Sequence, residues 1–408
     1  MNVSFLQPLI MLPNEIHIHD FDYPLPDDRI ALFPVEPRDS SKLLRLEGTA
    51  ITHHMFRDIP QLLPERSMLV FNQTRVIQAR LKLSKPTGAQ IEIFLLEPVF
   101  PSPSVIQTMG ATGVVHWQCM VGNKKRWKAE EIIRYQGLEF SWIDRERDIV
   151  SIDWSNNRVF AEVLSEVGNI PIPPYIKREA VEKDKEVYQT VYASQDGSVA
   201  APTAGLHFTE DVLIHLEKQG IKKEFITLHV GAGTFKPVST DNALEHEMHA
   251  EKMFFTRKNI EHLLQHEGPV IPVGTTSMRS LESLYWFGTG LIQKRLNVFS
   301  IPQYFPYEQP CSLSMQESLE AVLTYMDQNK LENLEGVTSI YIVPGYQFRI
   351  CKGIITNFHQ PKSTLLLLIS ALIGEQWKTV YNEALQNGYR FLSYGDSSLL
   401  LGKDWGNN

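Results

Sequence analysis

The chain has 408 residues, more than one hydrophobic core usually supports, so its length predicts two domains. Hydrophobic residues make up 43% of the chain and charged residues 21%, which is typical of a folded globular protein and excludes an intrinsically disordered one. The formal net charge of -8 excludes a uniformly basic nucleic-acid coat, so nucleic acid would have to bind at a local basic patch.

The first 78 residues predict extended segments around a buried strand. The apolar run at 5–12 contains Pro8 and has no basic leader, so we do not expect a signal peptide. Four prolines between residues 20 and 46 predict an extended segment with short turns and one helical piece. The apolar residues 68–71 predict a buried strand that ends in a polar turn.

Residues 79–159 carry no long helical period and predict an all-β module. Strands are expected at 89–99, 114–121 and 138–143, with loops rich in Pro, Ser, Gly and Thr between them. Because the pattern on either side of this stretch differs from it, we expect a small barrel inserted into the rest of the chain.

From about residue 160, helical and strand patterns alternate. Helices are expected at 158–168, 209–220, 363–374 and 379–388, and strands at 223–231 and 337–345; a strand, turn and helix are expected at 268–284. Thr209 and Ser363 are candidate N-caps. The predicted fold class is therefore α/β multidomain: a large α/β catalytic domain (1–78 and 160–408) with a smaller inserted all-β, barrel-like domain (79–159).

The cysteines and the apolar runs predict the compartment. Cys119, Cys311 and Cys351 lie far apart and form no CxxC, so we expect neither a disulfide framework nor a zinc ribbon. The longest apolar run, 365–373, is too short to span a bilayer. We therefore expect a reduced, cytoplasmic protein that does not enter a membrane.

Six short segments combine Gly, Thr, Ser and His at predicted strand or helix ends, which indicates a site built from several loops. They are GSVAAPTAGLHF (197–208), TLHVGAGTFKPV (227–238), EHEMHAE (245–251), VGTTSMRSLES (273–283), ITNFHQPKSTL (355–365) and SYGD (393–396). VGAGTF invites an S-adenosylmethionine-dependent RNA methyltransferase hypothesis, but no helix pattern follows it. HEMHAE lacks the second His of a zinc-protease motif. His246, His249 and Glu251 could bind a metal in another way, but no further ligand set accompanies them, so we expect hydrogen bonding or substrate contact and no metal.

Two basic clusters are candidates for contact with a nucleic acid. The first contains Lys124, Lys125, Arg126 and Lys128 around Trp127, and the second contains Lys177 and Arg178. Cations around an aromatic ring suit a phosphate backbone with a stacked base. A solvated charged face is the simpler interpretation of either cluster taken alone.

The order of these segments resembles the S-adenosylmethionine:tRNA ribosyltransferase-isomerase family of queuosine biosynthesis. The resemblance also covers FDYPLP (21–26), RDSSKLL (38–44), NQTRVIQARL (72–81), IPIPPYIKR (170–178) and YQTVYA (188–193). It implies a large α/β domain with a smaller β-barrel, and transfer with isomerisation of the ribosyl group of S-adenosylmethionine onto 7-aminomethyl-7-deazaguanine at the tRNA wobble position. The implied products are epoxyqueuosine-tRNA, adenine and methionine.

The resemblance implies the reaction, and the positions of residues in these segments suggest which of them take part. His207 and His229 are the candidate catalytic base and acid, and Asp396 is a candidate for the aminomethyl ammonium or the ribose hydroxyls. The candidate substrate-binding residues are Thr203, Gly205, Gly231, Gly233, Thr234, His246, His249, Thr275, Thr276, Arg279, Asn357, His359 and Lys362. S-adenosylmethionine is then a co-substrate, no further cofactor is expected, and the partner is a tRNA with a queuosine-type anticodon bound by a monomer.

The sequence also departs from the family pattern. Gln73 and Gln78 stand where the family usually has Asp and Pro, and Lys42 stands where it usually has Arg. These departures leave open a paralogue with a modified substrate. An S-adenosylmethionine-dependent RNA methyltransferase and a catalytically idle tRNA-binding paralogue are the competing hypotheses. The intact Gly, Thr and His loops of the second half favour the family reaction, because RNA binding alone does not need them.

Overall fold

The computed structural model describes residues 12, 14–231, 238, 240–403 and 405. The strands of this part of the chain are β1 Lys42–Glu47, β2 Ala50–Met55, β3 Met68–Asn72, β4 Thr74–Val76, β5 Arg80–Ser84, β6 Gln90–Phe100, β7 Val114–Gly122, β8 Ile133–Tyr135, β9 Leu138–Asp144, β10 Ile149–Trp154, β11 Gln195–Ser198, β12 Lys222–His229, β13 Glu251–Thr256, β14 Val270–Pro272, β15 Ser300–Ile301, β16 Asn333–Thr338, β17 Gly353–Asn357 and β18 Ser397–Leu401. The α-helices are α1 Ile59–Leu62, α2 Val105–Met109, α3 Phe160–Val167, α4 Asp184–Val187, α5 Glu210–Lys218, α6 Arg257–Leu264, α7 Thr275–Ile292, α8 Met315–Gln328, α9 Thr364–Ile373 and α10 Gln376–Gln386.

A six-stranded sheet in the order β14-β3-β12-β13-β16-β15 forms the centre of the α/β body. Strand β3 is buried over its whole length, as is typical of a strand covered on both faces. A second sheet, in the order β17-β18-β1-β2, adjoins the first. Two isolated parallel β-bridges, Val270–Cys351 and Val273–Ile355, connect the β14 region to the β17 region.

Parallel pairing brings four carboxyl ends to one edge of the body. Strand β3 pairs in parallel with both β12 and β14, and β14 meets β17 in parallel. The segments that follow these strands begin at Gln73, Val230, Val273 and Phe358. Ligands of α/β proteins bind at such an edge, so this arrangement gathers the Gly, Thr and His segments at one place.

Residues 80–154 form a separate six-stranded antiparallel sheet in the order β5-β6-β7-β10-β9-β8. Inward residues such as Ile93, Trp117 and Phe140 are fully buried and build its own core. The edge strands β5 and β8 approach each other, and Lys85 bridges the gap with hydrogen bonds to the Arg126 carbonyl and to Glu131. The sheet is therefore an almost closed barrel, and the predicted α/β fold class with a barrel-like module is confirmed.

Several predicted elements differ from the observed ones. The strand expected at 337–345 is wrong, since β16 ends at Thr338. Helices α6 and α8 were not expected. The limits of the two domains, at 1–78 with 160–408 and at 79–159, stay a prediction, although the barrel strands fall inside the second range.

Candidate functional site

Two adjoining openings lie at the edge where the parallel strands end. The large cleft, about 900 Å³, lies between the barrel and the body; its walls include Arg80, Glu92 and Arg147 on the barrel side and His229, Gly231 and Lys252 on the body side. The small cavity, about 100 Å³, is lined within the body by Thr203, Thr275, Thr276, Asn357 and His359. Val230 lines both, so the two spaces are neighbours.

The start of helix α7 forms one wall of the small cavity. Gly274 takes a positive φ of 90° at the N-cap position, and Thr275 and Thr276 begin the helix. Glycine has no side chain to cap the first N–H groups, so these donors suit an oxygen of a ligand. Ser363, the N-cap of α9, lines the same cavity. The positive ends of two helix dipoles therefore favour an anionic group there.

His207 lies behind the small cavity and contributes to neither of the two openings. Thr203 Oγ1 donates to Asn357 Oδ1 (3.0 Å), and the Asn357 amide donates to His207 Nε2 (3.2 Å). Nδ1 of the ring must then carry the proton and donate to Ser41 Oγ (2.8 Å). Burial, with Arg390 and Arg38 nearby, lowers the pKa of His207 to about 3. The neutral ring therefore orients Asn357, which does line the cavity.

His359 is also a buried, neutral histidine. Its Nε2 contacts Thr356 Oγ1 at 3.0 Å, and its backbone N–H donates to the Tyr381 hydroxyl. Tyr23 donates to the His359 carbonyl, so the N-terminal segment fixes this loop. Burial lowers the pKa of His359 to about 3.

His229 is the candidate catalytic histidine that lies on the large cleft. Its Nδ1 is 3.1 Å from Thr74 Oγ1, and its ring meets the Phe254 ring edge to face. Burial, together with the charge of Lys252, lowers the pKa of His229 to about 4. The imidazole is thus neutral at physiological pH, the form that a general base requires.

His249, Glu251 and Arg279 form a chain of contacting side chains that runs from the large cleft into the body. His249 lines the cleft, and its Nε2 is 3.6 Å from Glu251 Oε1. The other oxygen of Glu251, a fully buried residue, pairs with Arg279. Arg279 was expected to bind substrate; the structure places it in this buried ion pair and away from the walls of both openings. His246 lies outside both as well, with its ring 6.5 Å from that of Tyr341.

Asp396 and Lys362 also have partners within the protein. Asp396 is buried and accepts hydrogen bonds from the backbone N–H groups of Lys42 and Arg390. Lys362 pairs with Asp22 at 2.9 Å. Neither contributes to the walls of the two openings, so the structure does not bring these predicted residues together with His229.

The glycines and Thr234 separate into three groups. Gly231 lines the large cleft. Gly205 is buried, and a Cβ at this position would lie 1.9 Å from the Tyr192 hydroxyl oxygen. Glycine is therefore required here by the packing of Tyr192. Gly233 and Thr234 lie outside the described residues.

The predicted tRNA-binding cations lie on two different surfaces. Lys124 pairs with Asp148, while Lys125, Arg126 and Lys128 form no ion pair within the described ranges. Trp127 among them is fully buried, with its indole N–H donating to the Glu131 carbonyl, so the expected stacking on a base is wrong for this side chain.

In the second predicted cluster, the cations pair with acids of the body. Lys177 pairs with Asp27 at 2.9 Å. Arg178 makes a two-pronged pair with the buried Asp184, through hydrogen bonds of 2.6 and 2.8 Å. A guanidinium held in this way by a buried carboxylate is positioned by the fold and has few donors left for a phosphate.

The sequence analysis missed several groups of the site. Arg80, Arg147 and Lys252 are cations on the large cleft itself; Arg80 lies in the quoted NQTRVIQARL segment but was not named as a candidate, and Arg147 and Lys252 lie in no quoted segment. Glu251 ends the quoted EHEMHAE segment, and Thr74 lies in the quoted NQTRVIQARL segment. The sequence analysis therefore found both segments but did not include either residue among the candidate catalytic or substrate-binding residues. Within the described ranges, no group of three or more His, Cys, Asp or Glu residues forms a metal-binding cluster.

Known proteins are similar to this chain over almost its whole length. Two relatives named S-adenosylmethionine:tRNA ribosyltransferase-isomerase, from Sulfurihydrogenibium sp. and Desulfitobacterium hafniense, are 36% and 38% identical; each alignment covers 94% of this chain and 99% of the relative. A crystal structure of the S-adenosylmethionine tRNA ribosyltransferase from Thermotoga maritima is 26% identical, with a TM-score of 0.45 over 94% of this chain and 100% of that one. Among the described residues, no helix is long and apolar enough to cross a membrane. A family model described as queuosine biosynthesis protein matches residues 18–400, and the chain belongs to this family.

Proposed function

We propose that the protein is an S-adenosylmethionine:tRNA ribosyltransferase-isomerase. It transfers and isomerises the ribosyl moiety of S-adenosylmethionine onto 7-aminomethyl-7-deazaguanine at the wobble position of a tRNA with a queuosine-type anticodon. The products are epoxyqueuosine-tRNA, adenine and methionine. The family match over residues 18–400 and the names of the relatives support this activity.

One observation carries the proposal: separate sequence segments that define the resemblance line two neighbouring openings. Residues 197–204, 229–231 and 274–276 all contribute to these walls. The small cavity, at two helix N-termini, suits the carboxylate of the methionyl part of S-adenosylmethionine. The large cleft opens between the barrel and the body and suits the ribosyl group and the tRNA base.

The chemistry asks for a base, a proton donor and an uncharged amine. The sulfonium acidifies the adjacent ribosyl carbon, and a general base removes a proton there. Adenine leaves by elimination, the aminomethyl nitrogen attacks the opened sugar, and closure of the epoxide expels methionine. His229 has the neutral form and the location for the first step, and His249 lies on the same cleft.

The remaining features belong to the same proposal. S-adenosylmethionine acts as a co-substrate without a further cofactor, and the enzyme works as a monomer in the cytoplasm. The α/β domain (1–78 and 160–408) carries the chemistry, and the barrel (79–159) helps to seat the tRNA. The cysteines are buried free thiols, which is consistent with a reducing compartment.

The test is incubation with S-adenosylmethionine and a tRNA that carries the aminomethyl base. We expect adenine release that depends on the tRNA, and epoxyqueuosine in the digested tRNA by mass spectrometry. S-adenosylhomocysteine in place of adenine and methionine would identify a methyltransferase. Binding of tRNA without any product would identify a non-catalytic paralogue.

A further inference from the structure

We propose that Thr74 and Gly197 are positioning residues that hold His229 in one tautomer, with Nε2 unprotonated and available to the substrate in the large cleft. Thr74 belongs to the NQTRV segment, for which the proposed function gives no role. This inference rests on the proposed function, because it assigns the base of its first step.

The hydrogen bonds of Thr74 define the tautomer. Its hydroxyl oxygen is 3.4 Å from the Gln195 carbonyl oxygen and 3.1 Å from His229 Nδ1. Both contacts are hydrogen bonds only when the single hydroxyl proton is directed to the Gln195 carbonyl, which cannot donate, and we assign the proton to that position. The hydroxyl oxygen then accepts from Nδ1–H, and a neutral imidazole with its proton on Nδ1 has a lone pair on Nε2.

Thr74 itself is fixed relative to His229 by the end of strand β3. The Thr74 N–H donates to Asn72 Oδ1 at 3.1 Å. The same amide side chain accepts from the Leu228 N–H and donates to the Leu228 carbonyl, one residue before His229. Asn72 and Thr74 are both fully buried. The hydroxyl is thus held at a constant place beside the imidazole.

Gly197 provides the space for the ring. A Cβ on residue 197 would lie 2.6 Å from His229 Cε1 and 2.9 Å from Nδ1, too close for any side chain. The φ of Gly197 is also 145°, in the region that favours glycine. The imidazole therefore lies directly against the backbone, and a methyl group at this position must displace it.

The assigned step is a proton transfer to Nε2. The C–H bond of the ribosyl carbon beside the sulfonium breaks, an N–H bond forms at Nε2, and the electron pair stays on the carbon next to the positive sulfur. The low pKa of His229 ensures that Nε2 is free to accept at physiological pH. Within the described residues no hydrogen bond occupies this nitrogen.

The experiment compares Thr74→Val with Thr74→Ser, and it includes Gly197→Ala, whose methyl group must displace the imidazole and should therefore also lower kcat for adenine release. Valine keeps the shape but removes the acceptor of Nδ1–H, so we expect kcat for adenine release to fall about tenfold or more while KM changes little. Serine keeps the hydroxyl and should remain within about twofold of the wild type. Thr289→Val, which removes a buried hydroxyl from α7 outside both openings, is the matched control and should leave kcat unchanged.

The second readout is the ¹⁵N spectrum of the histidine rings, with His229 assigned by the signal lost in His229→Asn. The wild type and Thr74→Ser should show Nδ1 protonated, and Thr74→Val should shift the proton toward Nε2. A wild-type ring protonated on Nε2, or a Thr74→Val enzyme with unchanged kcat, overturns the inference. If the wild type releases no adenine, the proposed function fails, and the ring spectrum still decides the tautomer.

Discussion

Burial determines the charge of the histidines in the candidate site. His207 and His359 are enclosed, and desolvation disfavours their protonated forms, so both rings act as neutral hydrogen-bonding groups. Each then has one donor and one acceptor nitrogen, which is why His207 can connect Ser41 to Asn357. The two rings hold neighbouring loops in place, while His229 on the large cleft has no hydrogen bond to Nε2 from any described residue.

Stability should fall as the pH is lowered below about 6.5. An unfolded histidine binds a proton near that pH, whereas folded His207 and His359 bind one only near pH 3. In this window the unfolded state binds more protons, so the free energy of unfolding decreases by up to about 1.4 kcal/mol per pH unit for each ring; above it the contribution is constant. Urea unfolding at pH 7.5, 6.5 and 5.5 measures the slope. His359→Gln should show a shallower slope, and an equal slope would contradict the assignment.

Arg279 should prove essential to stability. Arg279→Met removes the guanidinium that pairs with the buried Glu251 carboxylate, and breaking a buried ion pair by removing one partner costs about 3–5 kcal/mol. Replacing both partners, Glu251→Leu with Arg279→Met, should recover most of this loss because no charge then stays buried. Urea unfolding of the two variants tests the pair. A loss below about 1 kcal/mol in Arg279→Met would return Arg279 to the substrate-binding candidates.

The sequence located the segments of the site better than the individual residues. The segment around His207 was identified, but its role depends on Ser41 and Asn357, which are 166 and 150 residues away along the chain. Folding brings these distant residues together. A local sequence pattern does not show which residues of different segments will form hydrogen bonds. The same reason explains why Arg147, on a barrel turn, was not among the candidates.

At the scale of elements, local signals predicted helix starts well. The Thr209 and Ser363 side chains accept the N–H groups of Val212 and Leu366, as expected of N-caps. Ser314 and Glu317 form a capping box before α8, a local signal that would have predicted this helix. The strand expected at 337–345 failed for a tertiary reason: its apolar residues pack in the core without ladder partners after Thr338.

Helix α7 packs closely against α8 at Gly288, and this contact should resist a methyl group. A Cβ at Gly288 would meet the Ser318 backbone carbonyl at 2.0 Å, whereas at Gly290 it would meet the Leu296 side chain at 2.5 Å. Backbone cannot move aside as a side chain can, so we expect Gly288→Ala to destabilise by about 1–3 kcal/mol. Gly290→Ala should cost less because the Leu296 side chain can move aside, whereas the helix preference of alanine, about 1 kcal/mol, offsets part of the loss at both positions. Thermal or urea unfolding checks the order, and equal losses would contradict it.

At the scale of the whole molecule, a net charge of -8 coexists with cations at the opening between the barrel and the body. Arg80, Arg147 and Lys252 line the large cleft together with Glu92 and Asp148. Arg80 pairs with Glu92, and Asp148 pairs with Lys124, so Arg147 and Lys252 are the cleft cations that suit phosphates of the anticodon loop. An acidic protein can thus bind tRNA where its two parts meet, without a basic coat.

The exposed cation Arg147 tests whether the large cleft seats the tRNA. Reversing its charge should raise KM for tRNA about tenfold or more with little change in KM for S-adenosylmethionine, because phosphate contacts supply much of the affinity for a nucleic acid. Loss of one phosphate contact should also reduce the slope of log affinity against log salt by about 1. Arg147→Glu is compared with Lys125→Glu, in the predicted basic cluster, and with Lys218→Glu on α5, the control away from the large cleft. If Lys218→Glu weakens tRNA binding as much as Arg147→Glu does, the effect is one of net charge, and the cleft has no special part in holding the tRNA.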